Sequence, residues 1–262
     1  MNERRTETLV VTLVTFTNLF IAFFISGVVI WALGEDPWFA LKTLLYGAFG
    51  YDEALGYTLY YTTNFIFTGL AFAIGFHCGL FNIGAEGQAY IGGLAVGLIC
   101  LWLENWPLWL VFPLAVSASI IFGGIWGAIP GYLKGKRGSH EVVTTIMFNF
   151  IASVIMVDLL SHVLRPDGQM SPESRDFAER VWVPQMHEIF EWFGIQITQT
   201  PLNGTFFFAL LCLILVWRFI WYTRWGYEIR TVGTNDTAAV YAGISVSRNI
   251  ILAMALCGGL AG

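Results

Sequence analysis

Charged residues are scarce in this sequence: Asp, Glu, Lys and Arg make up only 12% of its 262 residues. A soluble domain carries about 25%. The few cations form no basic face and the formal net charge is -5, which argues against nucleic acid as a partner. Apolar residues make up 56% and the mean hydropathy is +0.67, so the composition predicts a membrane protein.

Sequence patterns typical of metal sites, nucleophilic catalysis and phosphate binding are also missing. The four cysteines and four histidines are scattered without ligand spacing, so we predict no metal site. No Ser/His/Asp arrangement emerges, so we predict no catalytic residue. The segment GYLKGKRG at residues 131–138 lacks the spacing and the hydroxyl of a phosphate-binding loop. Any ATP must therefore be bound by another subunit.

What the sequence has instead is long apolar runs. Six are long enough to cross the hydrocarbon core as helices, for which about 20 residues are needed. They are residues 9–33, 58–76, 85–103, 107–133, 142–164 and 203–222. A seventh begins near Ser247 and would be about 24 Å long, short of the roughly 30 Å core. We predict an all-α polytopic membrane protein, with one transmembrane domain over residues 1–262 that lacks its C-terminal helices.

The distribution of Lys and Arg predicts the orientation, because cytoplasmic loops retain positive charge. With the N-terminus inside, nine of the 13 cations lie at cytoplasmic ends. These nine are Arg4, Arg5, Lys134, Lys136, Arg137, Arg218, Arg224, Arg230 and Arg248, and the other four are Lys42, Arg165, Arg175 and Arg180. The opposite orientation gives the reverse, so we predict a cytoplasmic N-terminus.

A polar, glycine-rich segment, GLFNIGAEGQ at residues 79–88, separates the second and third apolar runs. Irregular backbone at membrane depth is tolerated only where it is buried in protein or lines a watery cavity. The segment therefore predicts a broken helix near residues 81–88 and part of a translocation path. Two roles remain open for Glu86: contact with substrate, or capping of the following helix while Gln88 bonds to a neighbour.

A polar stripe covers the start of the fifth run and the residue before it. Its members follow one another at intervals of four residues and so share one helical face: Glu141, Thr145 and Asn149. This face either lines the path or bonds to another helix, and for Asn149 both interpretations stay open. Glu141 precedes the apolar run, where we expect it to cap the helix.

Glycines at i,i+4 spacing mark faces where membrane helices pack closely. The pairs are Gly93/Gly97, Gly123/Gly127 and Gly127/Gly131. We interpret them as packing positions, within one chain or at a dimer seam.

The stretch at residues 230–243, RTVGTNDTAAVYAG, predicts a short helix between two spans. Asn235 or Thr234 can cap its start, and Gly243 suits the left-handed position after its end. Such a helix is suited to a groove on another protein, or it is an ordinary connector.

Four segments carry a resemblance to a known family. They are FNIGAEGQ at 81–88, EVVTTIMFN at 141–149, the stretch at 230–243 and CGGLAG at 257–262. The sequence from about Pro37 onward resembles the permease subunits of bacterial ABC importers, in the branched-chain amino acid and simple-sugar group and its nucleoside-type branch.

This resemblance implies a larger helix bundle in the bacterial inner membrane, paired with a like or homologous permease. The segment at 235–243 would be the coupling helix on a cytoplasmic ATPase that holds ATP and Mg, and an extracytoplasmic binding protein would deliver a nucleoside, base or sugar. The coupling residues are Gly233, Asn235, Ala238, Ala239 and Gly243. The path residues are Asn82, Glu86, Gln88 and Asn149, to which the polar stripe adds Thr145.

An ion- or proton-coupled secondary transporter is the alternative, since such proteins also use broken helices. The chain has few intramembrane carboxylates for a proton relay and no second copy of the segment at 81–88. Both observations count against this alternative.

Overall fold

The computed structural model of the chain describes residues 2–262, of which residues 2–9 and 11 have no described side chains. All regular elements in this part are helices. They are α1 (Asn2–Ala32), α2 (Pro37–Phe49), α3 (Asp52–His77), α4 (Ala85–Trp102), α5 (Leu108–Arg137), α6 (Glu141–His162), a 3-10 turn (Glu179–Val181), α7 (Met186–Glu191), α8 (Thr205–Tyr222), α9 (Arg224–Thr234), α10 (Asp236–Tyr241) and α11 (Val246–Ala261). Within residues 2–262, six helices are long and apolar enough to cross a membrane. The prediction of an all-α polytopic membrane protein is confirmed.

The predicted apolar runs coincide with helices, and the differences lie at the ends. α3 begins at Asp52 rather than near residue 58, and α5 continues to Arg137 rather than ending near residue 133. The helix dipole stabilises acidic residues at a helix start and basic residues at a helix end. Both helices therefore extend into polar sequence, α3 through its acidic first turn and α5 through its basic last turn. Arg4 and Arg5, which support the predicted orientation, lie outside the described side chains.

The helices form two compact units. The first contains residues 2–58 and 197–200, and the second contains residues 59–196 and 201–262. In the first unit, the Asp36 carboxylate accepts a 2.9 Å hydrogen bond from the backbone N–H of Trp38 and so caps α2, with Pro37 at its first position. The Thr58 hydroxyl donates to the carbonyl of Ala48 at 2.9 Å, which joins α2 to α3.

In the second unit, α5 and α11 are in direct backbone contact through glycines. A Cβ atom placed on Gly123 would lie 2.3 Å from the carbonyl oxygen of Gly258, and one on Gly127 would lie 2.4 Å from that of Met254. Hydrogen is therefore the largest substituent that fits at either position. The predicted packing of Gly123/Gly127 and Gly127/Gly131 within the chain is confirmed.

The Gly93/Gly97 pair behaves differently. A Cβ atom on Gly93 would meet no atom within 4 Å, and one on Gly97 would approach only Phe177, at 3.8 Å. The interpretation of this pair as a packing position within the chain is therefore wrong among the described residues, and its interpretation as a dimer seam stays a prediction.

A continuous apolar core joins α3, α8, α9, α10 and α11. Its fully buried members come from different helices. Several of them are alanines, whose small side chains let the backbones of neighbouring helices approach each other. They include Ala71, Ile229, Ala239, Ala253, Met254 and Cys257. The helices that follow the last full span are thus packed into the body of the second unit.

The long connection between α6 and α8 is attached to the turn between α4 and α5. Arg175 donates to the carbonyl of Leu101 at 2.9 Å and pairs with Glu104 at 3.1 Å, and Arg180 donates to the carbonyl of Asn105 at 3.3 Å. The last carbonyls of a helix have no partner within it, and Arg175 supplies one at the end of α4, while Arg180 bonds to the turn that follows.

We predict that Gly127→Ala destabilises the protein, whereas Gly93→Ala does not. The added methyl group at position 127 collides with the Met254 carbonyl, an overpacking that costs about 1–3 kcal/mol. At position 93 nothing is in the way, and alanine favours the helix by up to about 1 kcal/mol. Thermal unfolding of both variants in detergent measures the difference. Equal melting temperatures would contradict the observed helix contact.

Candidate functional site

Seven residues, 78–84, separate the end of α3 from the start of α4 and form the break. α3 ends in a Schellman motif: the N–H of Leu80 donates to the carbonyl of Gly75 at 2.9 Å, and the N–H of Gly79 donates to that of Phe76 at 3.0 Å. Gly79 has φ +71°, a left-handed conformation that favours glycine. The predicted interruption is confirmed, and residues 85–88 are the first turn of α4.

Two buried side-chain amides fill the break. Asn82 is 5% exposed and Gln88 is 1% exposed. The amide of Asn82 donates to the Gln88 oxygen at 3.1 Å, and the amide of Gln88 donates back to the Asn82 oxygen at 3.4 Å. The same Asn82 oxygen accepts from the N–H of Gly84 at 2.9 Å, so one side chain holds both the loop and the first turn of α4.

Asn149 of α6 supplies the cap that α4 lacks. The residue at the N-cap position is Gly84, which has no side chain to accept a hydrogen bond. Asn149 accepts from the N–H of Gly87 at 2.9 Å and donates to the carbonyl of Ile83 at 2.9 Å. Of the two interpretations left open for Asn149, the structure favours the bond to another helix.

The other two members of the polar stripe have different roles. Thr145 is fully buried beside Gly84, and its hydroxyl donates to the carbonyl of Glu141 in its own helix at 2.8 Å. Glu141 occupies the first helical position and pairs with Lys134 of α5 at 2.8 Å. Its expected capping role is therefore wrong: no side chain caps α6, and the cation at the end of α5 draws the carboxylate away.

Glu86 lies apart from the buried amides. Its side chain is exposed, and it accepts a 3.3 Å hydrogen bond from the Tyr90 hydroxyl one turn later. The interpretation of Glu86 as the cap of α4 is wrong, since Asn149 fills that place. Of the five predicted path residues, the structure brings four together around the break, namely Asn82, Gln88, Thr145 and Asn149.

Two cysteines connect α11 to α3 and to the first residue of the break, a role that the sequence did not reveal. The Cys257 thiol of α11 donates to the carbonyl of Ala71 in α3 at 2.9 Å, and the Cys78 thiol lies 3.8 Å from the carbonyl of Asn249. Among the described residues, no group of three or more His, Cys, Asp or Glu side chains could hold a metal ion.

The segment after α8 contains the predicted short helix as α10. Asn235 is its N-cap and accepts from the N–H of Ala238 at 3.0 Å, and Gly243 follows its end at φ +75°. These two predictions are confirmed. The predicted coupling residues divide into two groups, because Ala238 is exposed whereas Ala239 is fully buried in the core. The outward face of α10 instead presents Val240 and Tyr241, the latter 89% exposed.

Gly233 connects this segment to the break. A Cβ atom on Gly233 would lie 2.2 Å from the carbonyl oxygen of His77 and 2.7 Å from the nitrogen of Gly79. The last turn of α9 thus rests directly on the backbone where α3 ends. α10 begins three residues later, at Asp236, so only a short stretch of chain separates the contact with the break from the exposed short helix.

α9 is also fixed to its neighbours by polar contacts. Glu228 accepts from Arg224 at 3.0 Å and from Asn249 of α11 at 3.3 Å. The Arg224 hydrogen bond, followed by that of Asn249, lowers the pKa of Glu228 below its usual range. Glu228 therefore keeps its charge at neutral pH and holds α9 against α11. Arg230 lies over the ring of Trp221 at 4.6 Å.

Comparison with known proteins gives concordant matches. The nucleoside ABC transporter permease protein NupB of Lactococcus lactis subsp. cremoris is 31% identical over 250 residues, which are 95% of this chain and 68% of that protein. The guanosine ABC transporter permease protein NupP of Bacillus subtilis is 35% identical over 82% of this chain and 60% of its own length. The glucose ABC transporter permease protein TsgB13 of Haloferax volcanii is 27% identical over 90% of this chain.

The chain thus spans about 60 to 68% of the length of these relatives. No solved structure gives a significant match. The family described as the permease component of the branched-chain amino acid transport system matches residues 54–262, which include the break, α6 and the segment from α9 to α11. The chain therefore belongs to the permease-component family of branched-chain amino acid transport systems.

Proposed function

We propose that this chain is the transmembrane permease subunit of an ATP-driven importer for nucleosides or related bases and sugars. The observation that carries the proposal is the contact between Gly233 and Gly79. It joins a hydrogen-bonded interruption of the membrane helices to a short helix whose outer face is exposed. A subunit that moves solute at the expense of ATP bound elsewhere needs both parts and a connection between them.

ATP and Mg would be held by a cytoplasmic ATPase. The chain has no phosphate-binding loop, and the exposed residues of α10 offer the docking surface: Ala238, Val240 and Tyr241. In the predicted orientation, nine of 13 cations and this helix lie on the cytoplasmic side of the bacterial inner membrane. A binding protein would then meet the opposite side, and a second permease subunit would complete the translocation path.

The break would work as the moving part. Its backbone is held by side chains rather than by a continuous helix, so it can rearrange at a lower cost than a helical turn. ATP binding on the partner would shift the population between two arrangements of the break through α10, α9 and Gly233. Asn82, Gln88 and Asn149 would then exchange their present partners for others along the path.

Support for the substrate class comes from the relatives, whose names specify nucleosides, guanosine and glucose. A nucleoside contains both a base and a sugar. The order in which nucleosides, sugars and amino acids inhibit uptake therefore tests the substrate class. We expect uptake of labelled guanosine to be inhibited by other nucleosides more strongly than by glucose or leucine. The reverse ranking would assign the importer to sugars or amino acids.

Substitution of the exposed face of α10 tests the ATPase partner. We predict that Val240→Glu with Tyr241→Glu abolishes both co-purification of the ATPase and nucleoside uptake, because charges replace the apolar docking surface. Ala239 is unsuitable for this purpose, since it is buried in the core. Met170→Glu, at a 97% exposed site in the connection between α6 and α8, is the matched control. Uptake that needs no ATPase and follows a pH or Na⁺ gradient would favour a secondary transporter instead.

The contact between α9 and the break gives a separate prediction. Gly233→Ala adds a methyl group 2.2 Å from the His77 carbonyl, which must shift the contact. We expect uptake to fall about tenfold or more, since overpacking of about 1–3 kcal/mol is enough for such a change. The ATPase should still co-purify, because the face of α10 is unaltered. Gly69→Ala in α3, where a Cβ atom meets nothing within 4 Å, serves as the control.

Asn149 tests the cap supplied by α6. Asn149→Ala leaves the N–H of Gly87 and the carbonyl of Ile83 without their partner, which we expect to cost about 1–2 kcal/mol of stability. Asn149→Asp keeps the acceptor for Gly87 and loses the donor to Ile83, so its melting temperature should lie between those of the wild type and Asn149→Ala. Identical melting temperatures for all three proteins would exclude the capping role.

A further inference from the structure

A cavity of about 380 Å³ lies where the end of α5 meets the starts of α9 and α11. Two of its lining residues are cations, one carries a hydroxyl group and three are apolar. They are Lys136, Arg248, Ser245, Trp225, Ile251 and Leu252. None of these residues takes part in the break or in the exposed face of α10.

The two cations are brought together by the backbone. The Ser247 hydroxyl donates to the carbonyl of Gly135, and a Cβ atom on Gly135 would lie 3.0 Å from the carbonyl oxygen of Ser247. The end of α5 therefore rests on the start of α11. Lys136 and Arg248 immediately follow these two residues, so both charges are held at the mouth of one cavity.

Neither cation of the cavity has a carboxylate in direct contact within the described part of the chain, and Arg248 interacts with Glu228 only at longer range. Neither Lys136 nor Arg248 forms an ion pair there. The carboxylates on neighbouring elements are already engaged: Glu228 is bonded to Arg224 and Asn249, and Glu141 to Lys134. The cavity thus offers two cations to an anion from outside the chain.

Its position and its apolar wall narrow the choice of that anion. Lys136 lies in the last turn of α5, where a long apolar helix ends and the membrane–water interface is expected, and Arg248 lies beside it in the first turn of α11. Trp225, which is 54% exposed, is typical of that interface. Ile251 and Leu252 extend the lining into the apolar region. A free phosphate would use the cations alone, whereas a phospholipid would use both parts.

We propose that this cavity binds the phosphate headgroup of an anionic phospholipid. Lys136, Arg248 and the Ser245 hydroxyl contact the phosphate, and Trp225, Ile251 and Leu252 contact the first carbons of the acyl chains. Basic pockets between membrane helices bind anionic headgroups in this manner. Because the cavity joins α9 to α5 and α11, the bound lipid also steadies the segment that leads to α10.

Native mass spectrometry of the full-length permease tests this proposal, with phosphatidylglycerol and phosphatidylcholine as the two probes. We expect retention of phosphatidylglycerol in preference to phosphatidylcholine. Lys136→Gln with Arg248→Gln should weaken phosphatidylglycerol binding about tenfold or more, since each cation near an anionic headgroup contributes about 1 kcal/mol. All of the substituted side chains are exposed, and melting temperatures without lipid verify the fold.

Arg137→Gln with Arg218→Gln is the matched control, because it removes two exposed cations from the same end of the bundle but outside the cavity. An equal loss in this control would mean diffuse attraction and would overturn the site. Displacement of the lipid by millimolar inorganic phosphate would assign the cavity to a free anion. Unchanged lipid binding by the cavity variant, with loss of ATPase co-purification, would assign it to an acidic partner protein.

Discussion

Every peptide group that a membrane protein removes from water must find a hydrogen-bond partner inside the protein, and this requirement governs the break between α3 and α4. Seven residues leave the helical pattern there, and several of the vacated bonds are replaced. The Schellman motif supplies the end of α3, Asn82 serves the N–H of Gly84, and Asn149 serves both Ile83 and Gly87. The polar residues that make the segment conspicuous are thus first of all partners for the backbone.

This arrangement ties the break to the rest of the second unit. Since Asn149 belongs to α6, any movement of α6 relative to α4 opens two hydrogen bonds at the break. The Cys78 thiol lies 3.8 Å from the carbonyl of Asn249 in α11, and Gly233 of α9 touches the end of α3. α6, α9 and α11 therefore all contact the same short segment of the chain.

Local signals in the sequence were sufficient for much of this structure. Apolar length located the spans, and Asn235 followed three residues later by Ala238 located α10, because a cap bonds to its own helix. Residues whose role depends on a distant partner were harder to interpret. The partner of Asn149 is more than sixty positions away in sequence, and the burial of Ala239 depends on a core drawn from several other helices.

The same distinction explains the two errors at charged residues. Glu86 and Glu141 both stand in the first turn of a helix, where a carboxylate is favoured by the dipole. At the start of α4, the amide of Asn149 from another helix makes the cap hydrogen bond that was expected of Glu86. At the start of α6, Glu141 instead pairs with Lys134 at the end of the preceding helix. The Gly93/Gly97 pair does not pack within the chain for a related reason, since spacing identifies a face of small residues but not what lies against it.

The glycine contact between α5 and α11 has a mechanical consequence. With no side chain between the two backbones at Gly123 and Gly127, neither helix can slide along the other without a collision of peptide groups. The pair must move as one rigid body. The contact between α5 and α6 is different in kind, since it includes the rings of Trp126 and Phe148 at 5.4 Å, which can tilt over one another. A shear within the bundle would therefore be easier between α5 and α6 than between α5 and α11.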